Sequence, residues 1–400
     1  MTDTPTLPLA GRAADLVGSV IDSSTSLLAK QRHDIVRFAM GSPAPEAIPT
    51  HLLAQIGVHE IGAESPDAFD YAATEGDPTL RDALLTELEG TTDATTPERL
   101  TITSGGMQGL DLAFKLFVDP GDLVVVESPT YTNGSATARS YQGELLEVPV
   151  DAEGVQVDRL EEMVAAVRPP KVIYTIPTFQ NPSGASMSLE RRHRLLELAR
   201  QWGSLVIDDD PYGMLRFAGE QLPSLHELAD GDPLVLSVRT FSKVIAPGLR
   251  VGWVDAAPEL QQLLINAKQA MDTCTNLPMQ RLIAGFLRAG YLRKHVAVQR
   301  EVYRQRKVAM QTALAEQLGD RVRWTDPEGG FFLWVTFEDD VDTEALFEVA
   351  LAEGVAFIPG NAFSPGKHFP NALRVCFAAT SPARIHEGVA RLRRAVDRVV

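Results

Sequence analysis

From about Arg99 to Val254 short apolar runs alternate with amphipathic segments, and this rhythm constrains the fold more than any other feature of the chain. Runs too short to be helices, separated by stretches of helical period, are how parallel strands joined by crossover helices read in sequence. The strand candidates are Leu100–Thr103, Leu123–Glu127, Val172–Ile176, Leu205–Ile207, Leu234–Val238 and Val251–Val254, with helix candidates such as Gln108–Phe117 and Leu189–Trp202 between them. The expectation is an α/β core. Past Met271 the pattern changes to one long amphipathic stretch, Gln280–Leu318, followed by strand candidates Gly329–Val335, Val355–Ile358 and Leu373–Phe377. That reads as a second, smaller α+β domain. An amphipathic helix is expected over Leu16–Lys30, and a Thr-rich connector over Gly90–Thr96. The predicted division is an N-terminal helical segment, 1–44, associated with the small domain, a large domain, 45–270, and a small domain, 271–400.

The 400 residues are 44% hydrophobic and carry a formal charge of −16. Such a chain can bury a large core, and its net charge repels phosphate backbones and anionic lipid, so neither nucleic acid nor membrane is an expected partner. The two cysteines, Cys274 and Cys376, are too few for a disulfide framework or a metal knuckle, and no secretory signal or membrane span is read, which together point to the cytoplasm. The eight histidines form no HExxH array and there is no GxSxG elbow, so zinc-hydrolase and serine-hydrolase chemistry is not expected. No metal site is expected.

Several loops after the strand candidates carry chemistry. Thr240-Phe241-Ser242-Lys243, with Arg250 close behind, places an amine, two hydroxyls and a guanidinium in one loop, a set suited to holding a phosphate beside an amine. A surface lysine on a polar loop is the alternative. Ser104-Gly105-Gly106-Met107-Gln108 sits between a strand and a helix, where free N–H groups favour an anion, but it also fits an ordinary tight turn. Asp208-Asp209-Asp210 ends a strand where open α/β sheets place their sites. Its carboxylates suit either Mg²⁺ or a protonated ring nitrogen, and the absence of a lysine after the Gly loop favours the second. Asn181, in an Asn-Pro turn, is a donor candidate, and Arg374, in an apolar strand, is either a carboxylate fork or half of a structural salt bridge.

In order along the chain, Tyr71-Ala-Ala-Thr-Glu-Gly76, Ser104–Gln108, Ser128-Pro-Thr-Tyr131, Asn181-Pro-Ser-Gly184, Asp209-Asp-Pro-Tyr212, Thr240-Phe-Ser-Lys243 with Arg250, and Arg374 resemble the fold type I pyridoxal-phosphate-dependent aminotransferases, class I/II. Ile176-Pro-Thr-Phe-Gln-Asn-Pro182 is similar to the branch of 2-aminoadipate and aromatic aminotransferases and the catalytic halves of MocR-type regulators. The resemblance runs from about Phe38 to the C-terminus. It implies an aspartate-aminotransferase-like large domain, with a mostly parallel sheet between helices, plus the small domain.

The resemblance also implies roles. Lys243 would be the Schiff-base lysine and proton shuttle, Asp209 would hold the pyridinium nitrogen protonated, and Asn181 with Tyr212 would bond the phenolate oxygen. Tyr131 would stack on the ring. Backbone at Gly106 and Met107, the hydroxyls of Thr240 and Ser242, and Arg250 would bind the phosphate, which the neighbouring subunit's Tyr71 would also reach in a homodimer. Gly41, Asn181 and Arg374 would hold the amino-acid substrate, with a 2-oxo acid as acceptor. The chemistry agrees: a Cα carbanion forms at neutral pH only when delocalised, and a released lysine is a positioned base. Elimination, decarboxylation or cyclisation on the same scaffold, or a non-catalytic effector sensor, stay open. No arginine stands at Asp22–Ser26, where 2-aminoadipate enzymes carry one for a distal carboxylate, so a neutral aliphatic or aromatic substrate is favoured, with Arg32 and Arg37 as possible substitutes.

Overall fold

A computed structural model of the chain describes residues 7–18, 33–62, 66–338 and 341–399. The helix expected over Leu16–Lys30, the Asp22–Ser26 stretch and Arg32 lie outside the described residues, apart from 16–18, which are not helical.

In chain order the first part holds β1 (Val36–Arg37), α1 (Thr50–Glu60), α2 (Pro78–Leu88), β2 (Leu100–Thr103), α3 (Gly106–Phe117), β3 (Leu123–Ser128) and α4 (Thr132–Ser140). Next come β4 (Glu144–Asp151), β5 (Gly154–Val155), α5 (Val157–Ala165), β6 (Val172–Thr175), α6 (Leu189–Trp202), β7 (Leu205–Asp209), α7 (Leu225–Ala229), β8 (Val235–Thr240) and β9 (Gly252–Asp255). The last part holds α8 (Pro258–Gln269), α9 (Leu277–Arg288), α10 (Tyr291–Gln317), β10 (Val322–Trp324), β11 (Phe332–Phe337), α11 (Thr343–Ala352), β12 (Val355–Ala356), β13 (Ile358–Pro359), β14 (Ala372–Cys376) and α12 (Pro382–Val399).

The large sheet has the order β2-β9-β8-β7-β6-β3-β4-β5, parallel from β8 through β4, with β9 antiparallel to both its neighbours. Its middle strands are apolar on both sides because helices cover both. Val124, Val126, Ile207 and Val238 pack with α3 and α4 on one face, and Val125, Ile173, Val206 and Val235 pack with α5, α6 and α7 on the other. Those helices are bounded by local chemistry. In α6 the Ser188 hydroxyl caps the Arg191 N–H and Gly203 ends the helix in the left-handed conformation. From β3 the chain pairs β4 on one side and β6 on the other, so the order reverses there and the carboxyl ends of the strands open a crevice.

The second region is the expected α+β unit, a four-stranded antiparallel sheet β10-β11-β14-β13 backed by α10, α11 and α12. Three expectations change in detail. The long amphipathic stretch is two helices, because the chain turns at Gly290 with φ of 66°. The single strand read over Val355–Ile358 is two: β12 pairs in parallel with β1, while β13 joins β14, and buried Phe357 lies between. The whole strand β4 escaped notice because its charged, half-exposed residues conceal the apolar alternation. The segment after β1 runs between the two sheets, with the Phe38 carbonyl accepting the Cys376 N–H at 2.8 Å. Helix α9 packs on α1 and α2.

Gly252 shows how closely the elements meet under the crevice. It pairs with Thr103 on one side and Thr240 on the other, and a Cβ there would stand 2.5 Å from the Arg239 carbonyl oxygen and 3.1 Å from the Gly106 nitrogen. Backbone cannot yield as a side-chain tip does, so Gly252→Ala should destabilise the protein by about 1–3 kcal/mol. An unchanged urea midpoint would show that the loop has more room than this packing allows.

Candidate active site

The three aspartates at the end of β7 and just beyond it meet three different surroundings, because successive strand residues point to opposite sides. Asp208 faces Arg239 of β8. The guanidinium donates to the Asp208 carboxylate and to its backbone carbonyl, at 2.8 and 2.7 Å, and reaches Asp93 at 2.8 Å. Burial alone would raise the Asp208 carboxyl, but Arg239 outweighs it and holds the group below its ordinary range. Asp210 accepts the N–H groups of Tyr212 and Gly213 and so shapes the following turn. Asp209 lines the crevice, where Oδ2 accepts the Tyr174 hydroxyl at 2.8 Å. Burial pushes its carboxyl up to about 7. The three carboxylates therefore do not converge on a cation.

Lys243 sits just past the end of β8 and donates to the Gly41 carbonyl at 2.7 Å. Burial, helped by the positive charges of Arg374 and Arg250, lowers its ammonium to about 8. Facing it, α3 begins at Gly106, so the first N–H groups of a 12-residue helix have no acceptor within the helix and open onto the crevice. The Thr240 hydroxyl donates to Ser242 Oγ at 2.9 Å, and Arg250 lies 3.4 Å from the same oxygen. Gly105, at φ of 84°, brings the loop so near that a Cβ would stand 2.8 Å from an Arg250 nitrogen. Behind this loop Asp272 accepts from Ser104, Gln108 and Lys268. The result is a cradle of N–H, hydroxyl and guanidinium donors beside an amine, which suits a phosphate ester carrying an aldehyde.

Arg374, 1% exposed on β14, has no carboxylate within ion-pair distance among the described residues. It donates to Asn181 Oδ1 at 2.9 Å and to the Ala39 carbonyl at 2.7 Å, leaves its Nε without a partner, and lies over the Phe332 ring at 4.2 Å. Burial lowers it to about 10. Among the described residues a structural salt bridge is thereby set aside. Because Arg374 claims the amide oxygen of Asn181, the amide nitrogen is left as a donor.

Gly41, Gly106, Met107, Tyr131, Asn181, Asp209, Tyr212, Thr240, Ser242, Lys243, Arg250 and Arg374 all line one cavity of about 340 Å³. Tyr212 is wedged edge-on against Phe331 and Phe332. Tyr71 is not in the cavity; it is 81% exposed. Reading the sequence alone missed Met40, Ser42, Asn133 and Phe332 on the wall, and Tyr174 beneath Asp209. Tyr174 carried a signal, since a tyrosine in an otherwise apolar buried strand needs a partner for its hydroxyl.

Residues 36–392 match the family described as Aminotransferase class I and II. The chain is 39% identical to an aromatic-amino-acid aminotransferase of Thermococcus litoralis, covering 90% of this chain and 87% of that one. It is also 39% identical to a 2-aminoadipate transaminase of Thermus thermophilus, covering 92% and 91%. The crystal structure of Pyrococcus horikoshii kynurenine aminotransferase, in complex with PMP, superposes with a TM-score of 0.91 at 36% identity, covering 98% of this chain and 97% of that one. The chain belongs to the class I and II aminotransferases, enzymes that move amino groups between amino acids and 2-oxo acids with pyridoxal 5′-phosphate.

Proposed function

We propose that the cavity around Lys243 holds pyridoxal 5′-phosphate and that the enzyme transfers the amino group of a neutral aliphatic or aromatic amino acid to a 2-oxo acid. The observation that carries this reading is the convergence of Lys243, Asp209 and Arg374, which among the described residues has no carboxylate at ion-pair distance, on one cavity whose floor is a helix N-terminus. When bound, the cofactor supplies an aldehyde for the amine and a conjugated ring that takes up the electron pair left by the breaking Cα–H bond.

The chain's residues do the rest. The N–H groups of Gly106 and Met107, with Thr240, Ser242 and Arg250, hold the phosphate. Tyr131, on the cavity wall, would stack on the ring. Asp209, made basic by burial and steadied by Tyr174, keeps a proton on the ring nitrogen, and that positive charge in turn favours its own ionised form. The Asn181 amide nitrogen and the Tyr212 hydroxyl would donate to the ring's phenolate oxygen. Arg374 clamps the α-carboxylate next to Gly41, which orients the Cα–H bond, and Lys243 Nζ takes and returns the proton. The apolar Met40 and Phe332 beside Arg374 favour a neutral side chain. The relatives act on aromatic amino acids and 2-aminoadipate, so both kinds of donor belong in the test.

The functional unit in this reading is a homodimer. Exposed Phe69 and Tyr71 on one short segment are a surface that a second copy would cover, with Tyr71 reaching the neighbour's phosphate site. The division at 44/45 and 270/271 belongs to the same reading, supported by the pairing of β1 with β12. So does a cytoplasmic location, which two free cysteines support.

The first test is the visible spectrum of the holoenzyme with single amino acids and no oxo acid. Conversion of the coloured form to the amine form, reversed by an oxo acid, is expected with neutral donors before acidic ones. Colour without that half-reaction would leave a sensor or another pyridoxal chemistry. Capture of added cofactor by the cofactor-free protein should have its half-maximal rate near pH 8, since a lowered lysine offers a neutral amine at lower pH than ordinary lysines do. A profile still rising at pH 10, or borohydride labelling elsewhere than Lys243, would contradict the assignment. In sedimentation two chains should travel together, and a species of 43.5 kDa at working concentration would count against the dimer.

A further inference from the structure

Behind the cavity wall, at the carboxyl end of β3, lies a buried carboxylate that none of the roles above uses. Glu127 Oε1 accepts the Thr175 hydroxyl at 2.5 Å and the Ile176 N–H at 3.2 Å, and Oε2 accepts the Gln180 side-chain amide at 2.9 Å. The same Gln180 nitrogen donates to the Pro129 carbonyl at 2.7 Å, while Gln180 Oε1 accepts the Ser183 N–H and hydroxyl at 2.8 and 2.7 Å. No lysine, arginine or histidine stands at ion-pair distance from Glu127 among the described residues.

A carboxyl group buried without a counter-ion is a cost to the fold, and burial pushes it up to about 7, so stability does not account for it. Its geometry does. Every group facing Glu127 is a donor, which suits an acceptor-only carboxylate, whereas a neutral amide would turn its NH₂ against the Gln180 NH₂. The segments joined through it both carry pocket residues: Pro129 lies two residues before Tyr131, and Gln180 adjoins Asn181, which accepts from Arg374.

We propose that Glu127 is a positioning residue that, through Gln180, places Asn181 and so aims Arg374 at the substrate carboxylate, setting substrate affinity without touching substrate. The proposal rests on the assignment of Arg374 made above. The test compares kcat and KM for an amino acid in the holoenzymes of Glu127→Gln, Gln180→Glu, the double exchange and Arg374→Lys.

Glu127→Gln should raise KM about tenfold while kcat changes less than about threefold, and Gln180→Glu, which sets two carboxylates face to face, should do at least as much. The double exchange should recover part of the loss. A carboxylate at 180 can accept from Ser183 and from an amide at 127, whose oxygen still meets Thr175 and Ile176, but where the Gln180 nitrogen donated to Pro129 two oxygens now face each other. An unchanged KM in folded Glu127→Gln, with KM raised in Arg374→Lys, overturns the positioning role and leaves Arg374 standing. A double exchange no better than the worse single variant also overturns it. An unchanged KM in Arg374→Lys would instead remove the assignment on which the proposal rests. If Glu127→Gln does not fold, Thr175→Val removes one donor only and should raise KM about threefold; no rise overturns the proposal.

Discussion

The buried guanidinium of Arg239 ties together the two strand ends from which the site is built. It bonds the side chain and backbone of Asp208 on β7 from its own place on β8 and takes in Asp93 as well. Asp209 is the next residue on one strand, and Lys243 lies four residues beyond Arg239 on the other. A paired charge of this kind adds little net stability over apolar packing, yet losing one partner is expensive, so its main consequence is geometric. The relative position of carboxyl and amine is set before any ligand arrives.

Around this brace, the same physical effect acts on several groups with different results. Burial pushes Asp209 and Glu127 up to about 7 and Lys243 down to about 8, in each case favouring the uncharged form. Neighbours then separate the roles. Asp209 is open to the cavity, Glu127 meets donors alone, and Lys243 is pressed toward the free amine by burial and two arginines. The chain bears −16 overall, yet among the described residues Lys243, Arg250 and Arg374 are cations without a carboxylate at ion-pair distance. The bulk charge and the cavity therefore act on different length scales: distant acidic residues are screened by salt, while these three cations line the cavity and act at close range.

The segment after β1 links the two sheets chemically as well as spatially. Its carbonyls at Phe38, Ala39 and Gly41 accept from Cys376, Arg374 and Lys243 in turn. One short stretch thus spaces Arg374 against Lys243.

By itself the sequence determined the α/β class, because a run such as Leu123–Ser128, apolar at every position until its end, cannot be stable except as a strand covered on both faces. It also determined which loops bear chemistry, since the Gly loop, the aspartate turn and the lysine loop each follow such a run. Composition and spacing alone did not single out one of three adjacent aspartates, although the family resemblance named Asp209; strand pleating and the place of Arg239 set that residue on the cavity. Nor did they alone decide between a salt bridge and a free fork for Arg374, because its partners Asn181 and Ala39 lie 193 and 335 residues away. The exchange of sheets at Phe357 was hidden for the same reason, whereas β4 was hidden by its own charged, half-exposed residues. Periodicity records what a segment buries, whereas the identity of the buried partner is a property of the fold, settled only when distant strands meet.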